Sequence, residues 1–259
     1  MRIVADARMR ADVLRPWPPL LATAGPGSAS AMHAHHAMHL IVARSGTLRV
    51  RQGKARAKAR SAAGILTSPD VPHAIDASGV EVVLVFVDPE SDVGERLLAT
   101  FDDPLRLVTE GERDALLSDL PRGATPDAIM IWAEGAMARF AGAPQTKRRM
   151  HPRVKTLLAR LRTMPLDADT TLPALAASAG LSESRLLHVF RESVGIPIRP
   201  YLLWLKVQRA VTSFAAGKSL TQAAHDAGFA DAAHMSRTFR RMFGMPASEL
   251  KKGVVSAAR

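Results

Sequence analysis

The chain has 259 residues, 47% of them hydrophobic and 23% charged, and it contains no cysteine. That length suits two modest domains better than one. The missing thiol excludes a disulfide framework, a thiolate zinc cluster and a cysteine nucleophile. The formal charge of +11 is unevenly placed: from Lys147 onward there are 19 Lys/Arg against 7 Asp/Glu, whereas residues 1–146 hold 16 against 17. Such asymmetry points to a polyanion-binding module joined to a neutral one, with a solvated basic surface as the plain alternative. The opening MRIVADARMRADV is too charged for a signal peptide, and no apolar run reaches the length of a membrane span. The expectation is a cytoplasmic protein with no membrane partner.

Residues 1–30 are rich in Pro and Gly. The next stretch, MHAHHAMHL, places His33, His35, His36 and His39 within seven residues. Residues 39–87 read as β structure. TLRVRQG alternates, Gln52-Gly53 can turn, and GVEVVLVFVD is a β-branched run that stops at Asp88-Pro89. Strand period turns the side chains of His33, His35 and His39 one way and His36 the other. A second strand carrying His73 would bring a fourth imidazole beside the first three.

Residues 91–141 change to helical period. Thr109-Glu110-Gly111-Glu112 is a capping box, and Thr125-Pro126 is an N-cap followed by proline at the first helical position. The helix it opens carries Ile129, Ala133, Ala136, Met137 and Phe140 on one face, which is either core or a dimer helix. AGAPQTKRRMHP, residues 141–152, punctuates two helical regions as a linker. Val154, Leu157, Leu158 and Leu161 restart an amphipathic helix.

The basic half repeats itself. AASAGLSESRLLHVFRESVGIP (176–197) resembles AAHDAGFADAAHMSRTFRRMFGMP (223–246), with Gly180, Phe190, Gly195 and Pro197 answering Gly228, Phe239, Gly244 and Pro246. Each unit is a short apolar helix, a glycine turn and a second helix with a basic outer face, which is a helix-turn-helix. RPYLLWLKVQRAVTSFAAG between them reads as one long helix. These motifs, in this order and spacing, are similar to the DNA-binding domain of the AraC/XylS family of transcription regulators over residues 151–250.

The resemblance implies that each second helix enters a major groove. Ser184, Leu187 and His188 in the first unit, and Ala233 and Arg237 in the second, would face base edges. Arg237 has the planar fork that matches guanine O6 and N7. Arg185, Arg191, Arg240 and Arg241 would meet phosphates, setting affinity and register. The first half would then sense or dimerise. Its Gly27…His33-x-His35-x3-His39…Gly46 resembles the first motif of the cupin fold, with His39 where the family usually has Glu, and Pro69-Asp70-Val71-Pro72-His73 resembles the second.

For the histidines three readings stay open. One is a transition metal (zinc, nickel, iron or copper) on His33, His35, His39 and His73, because imidazole suits those ions. The others are a metal-free pocket for an organic ligand, and plain hydrogen-bonded core. Clustered imidazoles also admit pH sensing.

The resulting expectation is an α+β multidomain chain. Residues 1–90 form a cupin-like β-barrel sensor, 91–146 a helical connector with a dimerisation option and linker, and 147–259 an all-α domain with two helix-turn-helix motifs. Its function is that of a non-enzymatic, sequence-specific regulator of transcription. Its partners are double-stranded DNA, a small-molecule or metal effector, RNA polymerase and, if paired, a second copy. The rival is a metal-dependent cupin enzyme with a DNA-targeting domain.

Overall fold

The computed structural model describes residues 16, 18–53, 57–141 and 150–250. Most of the expected linker lies outside them. The first half is built of strands β1 (Leu20–Pro26), β2 (Met38–Ala43), β3 (Leu48–Gln52), β4 (Arg60–Ala62), β5 (Gly64–Thr67), β6 (His73–Asp76), β7 (Glu81–Val87) and β8 (Leu105–Val108). Helices α1 (Asp92–Leu98), α2 (Glu110–Leu117) and α3 (Pro126–Ala141) complete it. The strands form two antiparallel sheets, one of five in the order β1-β7-β2-β5-β8 and one of three in the order β4-β3-β6.

Alternation along the central strands assigns the two faces of the large sheet. Met38, Leu40 and Val42 of β2, with Val83, Val85 and Val87 of β7, face a core shared with Ile129, Ala133, Ala136 and Met137 of α3. The apolar stripe of α3 is therefore core. The opposite parity, Ile41, Ala43 and Val82, meets Leu48, Val50 and Ile75 of the small sheet. His39 has that second parity and so faces the space between the sheets.

Strand β8 corrects one expectation. Residues 91–141 are not wholly helical: Leu105–Val108 pairs with β5 as the edge of the large sheet. The segment has four residues, too few for its period to stand out between two helices. The capping box at Thr109, which closes on Glu112 and starts α2, does form.

The second half holds α4 (Pro152–Thr163), α5 (Leu172–Ala179), α6 (Glu183–Val194), α7 (Ile198–Ala215), α8 (Leu220–Asp226) and α9 (Ala232–Phe243). Helix α5 ends on Gly180 in the left-handed conformation, φ +63°, a geometry that costs a residue with a Cβ about 1–2 kcal/mol. Ser182 and Asp231 cap the two second helices by accepting hydrogen bonds from the amides of Arg185 and His234. Tyr201, Trp204, Leu205 and Phe214 of α7 are buried in a core that takes in both units. That core continues across the boundary between the halves, because Leu21, Ala37 and Phe86 belong to it.

Candidate functional site

The DNA-binding residues expected from sequence all lie on open surface. Ser184, Arg185, Leu187, His188 and Arg191 are exposed on α6; Ala233, Arg237, Arg240 and Arg241 are exposed on α9. The opposite faces are buried: Leu186, Val189 and Phe190 on α6, Met235, Thr238, Phe239 and Phe243 on α9. Leu187, 42% exposed, is one of few large apolar side chains left in water. An apolar side chain at such a place can meet a thymine methyl. His188 has a neighbour the sequence reading did not weigh: its Nε2 lies 3.2 Å from Glu192, one turn on.

The histidines sit where the two sheets and the helical half meet. His33 is not on a long strand with His35 and His39, because β2 begins only at Met38. Instead a single β-bridge joins His33 to His73. The rings still converge. His33 and His73 have centroids 4.3 Å apart, His35 and His73 5.4 Å, and His39 and His73 4.8 Å. His33, His35 and His73 can each offer a nitrogen such that all three atoms lie within 4.8 Å of one another. His39 falls outside that triad. Its Nδ1 is engaged by His35 Nε2 at 3.1 Å and Thr67 Oγ1 at 3.3 Å.

The triad is oriented from behind. His33 Nδ1 donates to the Ala31 carbonyl at 2.8 Å, and His73 Nδ1 donates to the Val71 carbonyl at 2.7 Å. A carbonyl only accepts, so the lone pair of each ring is on Nε2. His35 Nδ1 and His73 Nε2 are buried without a hydrogen-bond partner. Burial, followed by the neighbouring His73, holds His33 down to about 4. Burial is also the first cause that lowers His35, His39 and His73. These rings are neutral at pH 7, the form that ligates a metal.

His36 points the other way and has the opposite character. Burial alone would lower it, but hydrogen bonds to Asp70 at 2.6 Å and Glu90 at 2.9 Å raise it to about 10. It is an imidazolium between carboxylates, edge-on to the Tyr201 ring of α7. Nearby, Arg162 of α4 pairs with the buried Asp88 at the end of β7. Sequence reading missed both contacts, since their partners are 34, 54 and 74 residues away along the chain.

A cavity of about 180 Å³ opens beside the triad. Strands supply Leu21, Ile41, Leu84 and Phe86, and His33, His35 and His39 form its polar end. Its remaining wall comes from the DNA-binding half: Val211, Phe243, Met245 and Leu250. The sequence reading enclosed the histidines in a barrel, whereas the structure closes their cavity with α7 and the end of α9. His35 stacks on Trp204 and lies 5.5 Å from the Phe243 ring. Gly244 touches the triad's own support. Its carbonyl accepts from the Ala31 amide at 3.0 Å, and a Cβ there would lie 2.2 Å from the Ala31 oxygen and 2.9 Å from His33 Nδ1.

Two recognition helices on one bundle, each with a basic outer face, match a known family. Residues 175–253 fit the family model described as a helix-turn-helix domain. That part of the chain is an AraC-type DNA-binding domain, and the class it defines is the DNA-binding transcription regulators. The whole architecture is similar to solved structures of ToxT from Vibrio cholerae O395, at TM-score 0.61 and 12% identity over 91% of this chain and 98% of that one. ToxT from Vibrio cholerae strain SCE256 with unsaturated fatty acid bound gives TM-score 0.57 and 12% identity over 97% and 100%. At that identity the likeness is one of fold. No curated protein matches the chain by sequence.

Proposed function

We propose that the chain is a transcription regulator whose DNA-binding half is controlled by an occupant of the histidine cavity. The observation that carries this is the shared wall: Phe243 and Met245 of the second unit line the same cavity as His33 and His35. An occupant touching both halves must change how they dock, provided it binds the docked and undocked states unequally. In this reading Ser184, Leu187, His188, Ala233 and Arg237 read base edges, while Arg185, Arg191, Arg240 and Arg241 hold phosphates. RNA polymerase and a second copy of the chain are the partners through which occupancy becomes a change in transcription.

The residues present fit a transition metal as part of that occupant. Three neutral imidazoles converge, and each is fixed through one nitrogen by a carbonyl or a neighbouring ring. That is the backing ligating histidines usually have. His33, His35 and His73 would hold the ion, with His39 a hydrogen-bonded neighbour and not a fourth ligand. Bound there, zinc, nickel, iron or copper would supply a Lewis-acidic centre. The regulatory reading is favoured over a metal-dependent cupin enzyme with a targeting domain because the DNA-binding half supplies a wall of the cavity.

The test is selection of bound sequences from a random duplex library with the full chain, with and without added zinc. Enrichment of one motif, with affinity differing between the two conditions, supports the proposal. Binding that depends on salt but not on sequence would sink it in favour of a nonspecific DNA binder.

A further inference from the structure

The metal reading leaves an unanswered chemical question: what completes the coordination. Three protein ligands leave a fourth position for an exchangeable group in a tetrahedral site. His39 is committed to His35 and Thr67, so this chain does not fill that position from the set sequence reading assigned. His33 and His35 both line the cavity, so an exogenous group reaches the ion from that side.

The cavity dictates the rest of the ligand. Beyond the histidines its walls are aliphatic and aromatic, chiefly Leu84, Phe86, Val211, Phe243 and Met245. Its volume has room for about six water-sized groups. No Lys or Arg is among the described residues that line it. An anion entering on its own would be buried against neutral rings with no counter-charge, which is strongly unfavourable. A dication on the triad removes that penalty and supplies the only strong anchor such a wall can offer.

We propose that the cavity takes a short apolar carboxylate whose binding depends on a metal ion held by His33, His35 and His73. This rests on the metal reading above. Its tail lies against Phe243 and Met245, so the acid touches the second helix-turn-helix unit at the same time as the metal-bearing half. Neither component alone spans both: the ion lacks reach, and the acid lacks an anchor.

The experiment uses the full chain stripped with chelator, then reconstituted with Co²⁺ as a spectroscopic stand-in for the native ion. Visible absorption reports the ion's coordination, and calorimetry with octanoate, octanol and acetate reports binding. A Co²⁺ spectrum that shifts on adding octanoate is expected, with octanoate binding at least tenfold tighter in the loaded than in the stripped protein. Octanol and acetate should each bind at least tenfold more weakly than octanoate. Equal octanoate affinity with and without Co²⁺ overturns the metal dependence. Octanol equal to octanoate overturns the anionic headgroup. A Co²⁺ spectrum unmoved by octanoate overturns the inference and leaves the metal reading standing, whereas no Co²⁺ binding by folded protein overturns both. His73→Ala, checked for fold by circular dichroism, should lose the Co²⁺ spectrum and the tight octanoate binding together.

Discussion

Two recognition helices made from nearly the same sequence pattern are held in different ways. Helix α6 rests on its own bundle, burying Leu186, Val189 and Phe190 among α4, α5 and α7. Helix α9 does the same with Met235 and Phe239, but its last turn also presses on the β half through Phe243 and Gly244. The turn glycines show the difference most sharply. Gly195 and Gly244 both adopt positive φ, 94° and 67°, and both cap the preceding helix by the same backbone bond. Only for Gly244 does the structure show a second demand, the close approach to Ala31 and His33. A repeated motif thus has one copy that reads DNA from a self-contained frame and another whose frame includes the ligand cavity.

Acid should break this asymmetry most strongly. In metal-free protein His33 titrates at about 4 and His35, His39 and His73 are lowered, against about 6.5 in the unfolded chain. The unfolded state therefore binds more protons between about 6.5 and 4, so stability is full above that window and lost as pH falls through it. Chemical denaturation at a series of pH values should show that fall; a flat profile over the window would contradict the buried neutral cluster. His36 has the opposite sign. Its folded value of about 10 contributes stability below 6.5 that disappears as pH rises toward 10.

Next in size, Gly244→Ala combines left-handed strain of about 1–2 kcal/mol with overpacking of about 1–3 kcal/mol. Gly195→Ala should show the strain alone. Hydrogen exchange should find α9 and residues 31–36 loosened in the first variant and α6 alone affected in the second. Equal losses would mean that Gly244 has no interface role.

On DNA, Arg237→Ala should cost about 1–3 kcal/mol on the selected motif and relax preference at one position. Arg240→Ala should weaken all sequences alike and reduce the salt slope by about 1. Reversed behaviour would exchange the roles assigned to the two arginines. The smallest effect is where the units should agree. Ser182→Ala and Asp231→Ala each remove an N-cap and should each lower stability by about 1 kcal/mol in thermal unfolding.

Legibility in the sequence followed the range of the interaction. Helices, caps and turn glycines of the second half are set by residues three or four apart, and the pattern around Gly180, Ser182 and Phe190 was readable directly. The outward DNA-binding faces followed from the same period. The histidine cluster was legible as composition, but its geometry was not. Parity on one strand predicted four equivalent imidazoles, whereas a bridge at His33, a late start to β2 and the Thr67 hydroxyl separate His39 from the rest. The cavity's second wall was illegible, because Trp204 and Phe243 lie far from the histidines in sequence and their apolar character is explained equally well by the helical core. Helix and strand signals could not resolve β8 for want of length.

The contact between Gly244 and residues 31–33 bears on how this chain could be cut and rejoined. Regulators are often treated as interchangeable sensors and readers, exchanged at the linker. Here a reader spliced at residue 150 would leave with half of its partner's cavity, and Trp204, Phe243 and Met245 would meet whatever surface a foreign sensor happened to present. Transplantation should succeed only when residues 27–36 travel with the reader, or when the incoming sensor carries its own seat for that glycine. The seam in the sequence and the seam in the molecule are in different places.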